Sequence, residues 1–150
     1  CCLVMKKGAE IIKSKLPIIN QEIAKILSNI VQFSIYLEND DDKLDIMIKH
    51  PRFDARPLEM GSGAEKTLAS TAIRLALLNV TTLPKGDIFI MDEPGTALDA
   101  ENLDGFVRIL DLIKGYFKTV ILISHLDSLK DCVDMQIVIE RKDGYAYVNQ

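Results

Sequence analysis

The sequence has few cysteines, and their spacing fits neither a metal site nor a disulfide framework. Two of the three are adjacent, at Cys1 and Cys2, and the third is far away at Cys132. With no CxxC pair and an odd total, we expect ordinary reduced thiols. The sequence also lacks a recognisable signal peptide and any apolar run of about eighteen residues, which a membrane-spanning helix requires. These absences predict a cytoplasmic protein.

Basic residues are fewer than acidic ones, 18 against 22. The net charge is −4, which argues against a surface that binds polyanions over its whole extent. The charge is uneven, however, since residues 1–33 hold five lysines and two glutamates. Any contact with nucleic acid is therefore predicted near the amino-terminal helix, where the lysines are Lys6, Lys7, Lys13, Lys15 and Lys25.

An initiating methionine is missing, because the first residue is Cys1. We therefore expect the chain to be part of a longer protein. Its 150 residues correspond to about one domain, and its apolar fraction of 48% is sufficient for a hydrophobic core.

The glycine-rich stretch GSGAEKT, residues 61–67, lacks the glycine that a P-loop requires directly before its lysine. Glu65 occupies that position, and its carboxylate would repel a phosphate. Ser62 and Glu65 instead have the S-x-x-E spacing of a capping box, in which each side chain caps a backbone N–H group of the other residue. We therefore predict that a helix begins at Ser62.

The start of this helix is also a candidate anion site. The N–H groups of a first helical turn and the helix dipole both favour a negative charge, and Gly61 and Gly63 would let a phosphate approach the backbone closely. Capping without any ligand is the alternative, and from the local sequence both remain open.

Residues 1–33 carry an apolar heptad pattern, with steps that alternate between four and three residues. This pattern predicts the end of a coiled-coil helix that enters a globular head, and a long helix packed on a sheet is the alternative. Because proline removes a backbone donor and clashes with the preceding turn, we expect a kink or a restart of the helix near Pro17. The apolar positions are Met5, Ala9, Ile12, Leu16, Ile19, Ile23, Ile26, Ile30 and Phe33.

Residues 34–150 show the pattern of an α/β domain with a mainly parallel sheet flanked by helices. A β-hairpin is predicted at 33–37 and 44–48, followed by a long connection that contains His50, to which we assign no role. A long helix follows Gly63, and apolar runs suited to buried parallel strands then alternate with helices. The further predicted elements are strands at 87–92 and 119–124, helices at 97–116 and 125–133, and a hairpin at 135–150.

Two carboxylates, Asp92 and Glu93, follow the apolar strand IFIM, at the strand end where ligands bind in open α/β sheets. This is a Walker B arrangement, in which the aspartate holds a hydrated Mg²⁺ and the next carboxylate accepts a proton from the attacking water. A solvated strand end before a turn is the alternative. His125 ends the next apolar strand, and two neighbouring parallel strands would bring all three side chains to one edge of the sheet.

In chain order, GSGAEK, IFIMDEP, GTALDAEN and ILISH resemble the signature motif, Walker B motif, D-loop and H-loop of ATP-binding-cassette (ABC) ATPases. The resemblance covers residues 58–141 and is greatest to the SMC proteins and the SbcC-type DNA-repair ATPases. Three features favour that branch: the Glu65-Lys66 pair, the thirty residues from Ser62 to Asp92, and the heptad helix. The signature departs from the usual Leu-Ser-Gly-Gly at its first and fourth positions, where this chain has glycine and alanine.

The resemblance implies the carboxy-terminal lobe of an ATPase head, which would hydrolyse ATP only when completed by a lobe that carries Walker A. It implies that Asp92 holds Mg²⁺, that Glu93 is the general base and that His125 contacts the γ-phosphate. It also implies partners, namely that Walker A lobe of the same protein, a second head, DNA bound through its phosphates, and a nuclease subunit. The residues implied to meet the nucleotide of the opposing head are Ser62, Gly63, Ala64 and Asp99.

Two other functions fit the same motifs. One is the nucleotide-binding domain of a transporter, and the other is a non-catalytic SMC-like structural module that pairs without turnover. The intact acidic pair and His125 favour a working ATPase over the second of these, and the heptad helix favours the SMC and SbcC branch over the first.

Overall fold

The computed structural model describes residues 2–40, 43–82, 84–94 and 100–149. Two short 3₁₀ helices, Leu58–Met60 and Asp127–Cys132, join the longer elements. Those elements are, in chain order, α1 (Cys2–Leu27), β1 (Ser34–Asp40), β2 (Lys43–Lys49), β3 (Arg56–Pro57), α2 (Gly63–Val80), β4 (Ile88–Asp92), α3 (Ala100–Tyr116), β5 (Thr119–Ile123), β6 (Val138–Lys142) and β7 (Tyr145–Asn149). None of the helices in the described part is long and apolar enough to cross a membrane.

The α/β fold class is confirmed, with helices beside the strands and a parallel pair formed by β4 and β5. Among the described residues, the other strand pairs are antiparallel: β1 with β2, β2 with β3, and β6 with β7. The two predicted hairpins are therefore present. The second turns at Asp143 and Gly144, whose φ angles of 53° and 85° fit a tight hairpin turn.

Helix α2 packs at the centre of the fold, against both α1 and α3. Its buried positions recur at the spacing of one helical face and are mostly alanine and leucine, which lets neighbouring helices approach closely. These positions are Ala64, Leu68, Ala69, Thr71, Ala72, Leu75 and Ala76. The beginning of α2, where the glycine-rich turn lies, is therefore anchored by the core.

The carboxyl-terminal part of α1 belongs to the same core. Ile19, Ile23 and Leu27 are buried there with residues of α2 and β1. Asn20 adds a specific link, because its side-chain amide donates to the Leu37 carbonyl oxygen at 2.9 Å and accepts from the Leu37 N–H at 2.7 Å. This double hydrogen bond fixes α1 along β1.

Helix α1 is continuous through Pro17, so the helix does not restart there. The kink at that residue stays a prediction, as do the coiled-coil character of residues 1–33 and the division of the chain into coil and lobe.

The parallel pair differs from the sequence-based expectation in its burial. Phe89 and Met91 of β4 are buried, as predicted, but the opposite face of β4 and β5 is exposed. Parallel strands are covered on both faces in complete α/β domains, and here no described segment covers the second face. The exposed side chains are Ile88 (58% exposed), Ile90 (52%), Ile121 (41%) and Ile123 (49%).

Candidate functional site

The acidic strand end lies at the carboxyl edge of the parallel pair. Asp92 is the last residue of β4 and is opposite Ile123, the last residue of β5. The next residue, Glu93, continues the ladder because its N–H donates to the Ile123 carbonyl oxygen at 2.8 Å. The edge of the pair therefore presents both carboxylates, as the order of the elements predicted.

The backbone of Glu93 adopts a strained conformation. Its φ of 46° lies in the left-handed region, which is uncommon for a residue with a side chain and costs about 1 kcal/mol or more. Such strain is concentrated at functional sites, where the surrounding structure holds it. The conformation turns the chain sharply as it leaves β4 and sets the direction of the Glu93 side chain.

Glu93 and His125 are in direct contact at the edge of the sheet where both were predicted to lie. The Nδ1 atom of His125 lies 2.8 Å from Oε2 of Glu93, and the two side chains are 70% and 42% exposed. An exposed pair of this kind contributes about 1 kcal/mol or less to stability. Stabilisation of the fold therefore does little to explain the contact between Glu93 and His125. The contact orients the carboxylate of Glu93 and uses only one of the two imidazole nitrogens of His125.

Asp92 is exposed beside this pair. The described residues contain no group of three or more histidine, cysteine, aspartate or glutamate side chains able to hold a metal ion. A single carboxylate still fits Mg²⁺, which commonly takes one or two protein carboxylates together with water and phosphate oxygens. Asp92 can therefore supply one ligand of a magnesium site that water and phosphate oxygens would complete.

The glycine-rich turn forms the predicted capping box. Oγ of Ser62 accepts from the Glu65 N–H at 3.2 Å, and the Ser62 N–H donates to Oε2 of Glu65 at 2.7 Å. Ser62 and Gly63 are exposed, whereas Ala64 is only 3% exposed and packs into the lobe. Ala64 can therefore meet a ligand only through its backbone N–H.

Glycine is required at position 61 because the turn leaves no space for a side chain. Its φ of −74° is accessible to any residue and does not itself require glycine. A Cβ atom at this position would lie 2.9 Å from the Leu58 carbonyl oxygen and 3.0 Å from Oε2 of Glu65. A larger residue would therefore displace the capping carboxylate.

Two residues that the sequence did not indicate complete the turn. Nε2 of His50 lies 2.7 Å from Oε1 of Glu65, and Nη2 of Arg56 lies 3.3 Å from Oε2 of the same residue. Burial raises the pKa of Glu65, but the hydrogen bonds from Ser62 and His50 and the charge of Arg56 outweigh it, so the pKa lies below its ordinary value. His50 and Arg56 are 15 and 9 positions from Glu65 in the sequence, and no local sequence pattern predicts contacts over such separations.

The lowered pKa of Glu65 predicts a loss of stability in acid. A carboxyl group with a depressed pKa in the folded state stabilises the fold above its unfolded pKa, which is 4.5 here, and this contribution is lost as the pH falls through the folded value. Urea unfolding at several pH values should show Glu65→Gln to be less stable than the unsubstituted chain at pH 7. The difference should shrink below about pH 4.5. A difference that is independent of pH would contradict a lowered pKa of Glu65 in the folded state.

Comparison with known proteins agrees with the resemblance to ATPase heads that the sequence motifs indicated. No protein-family model matches the chain. Uncharacterized protein R555 of Acanthamoeba polyphaga mimivirus is 32% identical over 155 residues, which is 93% of this chain and 12% of that protein. The DNA double-strand break repair Rad50 ATPase of Methanopyrus kandleri is 30% identical over the whole of this chain and 18% of its own length. The chain thus spans less than a fifth of either relative.

Solved structures of SMC proteins share the fold. One, from work on ATP-driven dimerization and DNA-stimulated activation of SMC ATPases, matches 94% of this chain and 88% of its own, with a TM-score of 0.73 and 23% identity. The Smc head domain of Pyrococcus furiosus, with an extended coiled coil and bound to the C-terminal domain of ScpA, matches 96% of this chain and 37% of its own, with a TM-score of 0.71 and 25% identity.

The chain belongs to the Rad50 and SMC family of ABC-type ATPase heads. Its extent corresponds to the carboxy-terminal lobe of such a head. Transporter ATPases match less of it: a macrolide export protein MacB of Psychrobacter cryohalolentis covers 60% of the chain and an energy-coupling factor protein EcfA2 of Thermotoga maritima covers 53%. The Rad50 match extends over the α1 helix as well, which favours the Rad50 and SMC branch.

One predicted residue of this ATPase lobe, Asp99, lies outside the described residues. The described chain resumes at Ala100, where α3 begins. Residues of α3 such as Gly105 and Arg108 line an open groove together with Ser62 and Glu65. The groove therefore joins the glycine-rich turn to the first half of α3, the helix that follows the predicted D-loop.

Proposed function

We propose that this lobe, completed by an amino-terminal lobe with a Walker A motif, hydrolyses ATP between two paired heads and couples hydrolysis to DNA repair or recombination. The family supports ATPase activity in general. The observation that carries the proposal for this chain is the contact of 2.8 Å between Glu93 and His125 at the end of β4 and β5.

In the proposed reaction Glu93 is the general base. Its carboxylate accepts a proton from the water that attacks the γ-phosphate. His125 holds Oε2 of Glu93 through Nδ1, so the other carboxylate oxygen can face the water. In the imidazolium form the Nε2–H of His125 can also donate to an oxygen of the γ-phosphate. Bound Mg²⁺, with Asp92 among its ligands, would neutralise charge on the phosphates.

The glycine-rich turn is proposed to meet the nucleotide of the opposing head. Oγ of Ser62 already accepts a hydrogen bond within the cap, so its hydroxyl hydrogen can be donated to a phosphate oxygen. The N–H groups of the first turn of α2, including those of Gly63 and Ala64, add donors and a favourable dipole. Two such turns would hold two ATP molecules between paired heads.

The exposed face of β4 and β5 supports completion by another lobe. Its four isoleucines form an apolar surface at the strand pair that carries Asp92 and Glu93. Exposed apolar surfaces of this kind are typical of interaction sites. We propose that the Walker A lobe of the same protein covers this face, which would place its nucleotide beside the acidic strand end.

Two further partners are proposed from the relatives. One is DNA, because the Rad50 relative is named for DNA double-strand break repair and α1 carries the lysine cluster. The other is a nuclease subunit, as the SbcC-type resemblance implies. On this proposal the protein acts in the cytoplasm at DNA, and the lysines bind phosphates without base specificity.

Removing lysines from α1 should weaken DNA binding and its dependence on salt. Each phosphate contact to duplex DNA contributes about −0.9 to the slope of log K against log salt. For the completed head, the double variant Lys15→Gln and Lys25→Gln should therefore show a slope shallower by about two, measured by fluorescence anisotropy over a range of salt. The control is Lys142→Gln on β6, which should leave the slope unchanged. An unchanged slope in the double variant would exclude these lysines from the DNA contact.

The function as a whole is tested by adding the amino-terminal lobe and measuring ATP hydrolysis with and without duplex DNA. The proposal expects hydrolysis only in the mixture, and stimulation by DNA. ATP-dependent pairing of heads without any hydrolysis would instead favour a non-catalytic structural module. A rate of hydrolysis that duplex DNA does not change would contradict the proposed role in DNA repair.

A further inference from the structure

The capping carboxylate of Glu65 has more partners than a capping box requires. A capping box needs one serine and one glutamate. Here Oε2 accepts from the Ser62 N–H at 2.7 Å and from Nη2 of Arg56 at 3.3 Å, while Oε1 accepts from Nε2 of His50 at 2.7 Å. The Glu65 side chain is only 12% exposed, so each of these donors replaces water that burial has removed.

The two additional donors come from one segment of the chain, which follows β2. His50 comes directly after Lys49, the last residue of β2. Arg56 is in β3 and is paired with Ile48 of β2. The first turn of α2 is therefore tied to the sheet of β1, β2 and β3 by side chains, in addition to its own cap.

The imidazole of His50 is held in place by its surroundings. The ring of Phe33 lies 5.4 Å away between centroids, and the ring of Phe53 lies 6.4 Å away in an edge-on arrangement. The His50 carbonyl oxygen also accepts from the Phe53 N–H at 3.2 Å. A side chain fixed in this way loses little further freedom when it binds Glu65, which favours a short, directed hydrogen bond.

We propose that His50 is a positioning residue of the glycine-rich turn, with Arg56 as a weaker second support. By holding Glu65, His50 fixes the Ser62 N–H and the first N–H groups of α2 in the arrangement that meets a phosphate. The inference rests on the proposed function of that turn. It further assigns to the β1–β3 sheet the role of setting the geometry at which a second head is engaged.

Two substitutions separate hydrogen bonding from packing. His50→Phe keeps an aromatic ring between Phe33 and Phe53 but has no donor for Glu65. His50→Gln loses the ring but places an amide N–H at the distance of Nε2. If His50 acts by positioning Glu65, the glutamine variant should resemble the unsubstituted chain and the phenylalanine variant should not. If His50 serves only packing, the order should be reversed.

The first measurement is amide hydrogen exchange of residues 62–66 in the completed head without nucleotide. His50→Phe should raise exchange of the Ser62 and Glu65 amides about tenfold, as expected for loss of a hydrogen bond to a charged group. His50→Gln should raise it much less. The matched control is Arg52→Gln, an exposed arginine of the same segment, which should leave exchange unchanged. Equal effects of phenylalanine and glutamine would overturn the proposal.

The second measurement is ATP hydrolysis by the same completed heads. Loosening the turn weakens engagement of the opposing nucleotide but leaves Glu93 and His125 intact. His50→Phe should therefore raise KM for ATP about tenfold with kcat little changed, and His50→Gln should restore most of the loss. A fall in kcat at unchanged KM would overturn the positioning role.

The two measurements distinguish failure of this inference from failure of the proposed function. Heads that never hydrolyse ATP, even without substitution, would overturn the proposed function and with it the role of His50 towards a nucleotide. The exchange experiment requires no nucleotide, and it would still decide whether His50 holds the turn.

Discussion

Glu93→Gln is expected to remove most ATP turnover from the completed head while the lobe keeps its fold. Glutamine has nearly the same shape and can still bond to His125, but its amide cannot accept the proton of the attacking water. General-base assistance is worth about 10² to 10⁴ in rate, or about 3 to 5 kcal/mol of barrier. The exposed pair with His125 adds little to stability, so the unfolding midpoint should hardly change.

The measurement is single-turnover ATP hydrolysis by the completed head, together with ATP-dependent pairing of heads in solution. Pairing should persist in Glu93→Gln, because the change leaves the Ser62 turn and Asp92 in place. Glu140→Gln, an exposed substitution on β6, is the matched control and should hydrolyse ATP at the normal rate. Hydrolysis that is unimpaired in Glu93→Gln would refute the assignment of the base.

Ile90→Glu is expected to prevent this chain from binding its amino-terminal lobe. The side chain is 52% exposed at the middle of the uncovered face, so the isolated chain should tolerate the change. Covering the face would bury an unpaired carboxylate, at a cost of about 3 kcal/mol or more. The affinity between the two lobes should therefore fall by about a hundredfold or more.

Titration calorimetry of the chain with its separately produced amino-terminal lobe measures this effect. The control is Leu44→Glu, which introduces the same charge at a leucine that is 45% exposed on β2. It should bind like the unsubstituted chain, and circular dichroism should show both variants folded. If Ile90→Glu also bound normally, the face of β4 and β5 would not be the contact with that lobe.

Much of the fold followed from short-range pattern. The alternation in residues 33–49 predicted the first hairpin. Its first strand runs three residues further towards the turn than expected, because residues up to Asp40 remain paired. The apolar runs after residue 87 predicted two parallel strands, and these are present in the predicted order. Burial of both of their faces was the wrong expectation, because the described residues provide cover for only one.

The candidate site was likewise predictable only in part. The approach of Glu93 and His125 could be predicted, because parallel neighbouring strands end at one edge whatever else surrounds them. The left-handed backbone of Glu93 could not, since glutamate seldom adopts it and no neighbouring residue indicates it. The approach of a phosphate to Gly61 stays a prediction, and the sequence did not indicate that a Cβ atom at this position would meet Leu58 and Glu65.

Features that depend on residues close together in the chain could be predicted from the amino-acid sequence alone. Ser62 and Glu65 are three positions apart, and a helix start is all that their capping box requires. The contacts of His50 and Arg56 with the same carboxylate, and the exposure of four isoleucines, became visible only in the folded chain. Such contacts depend on how whole elements pack, and the free energy that selects the packing comes from the entire core, not from any short stretch of sequence.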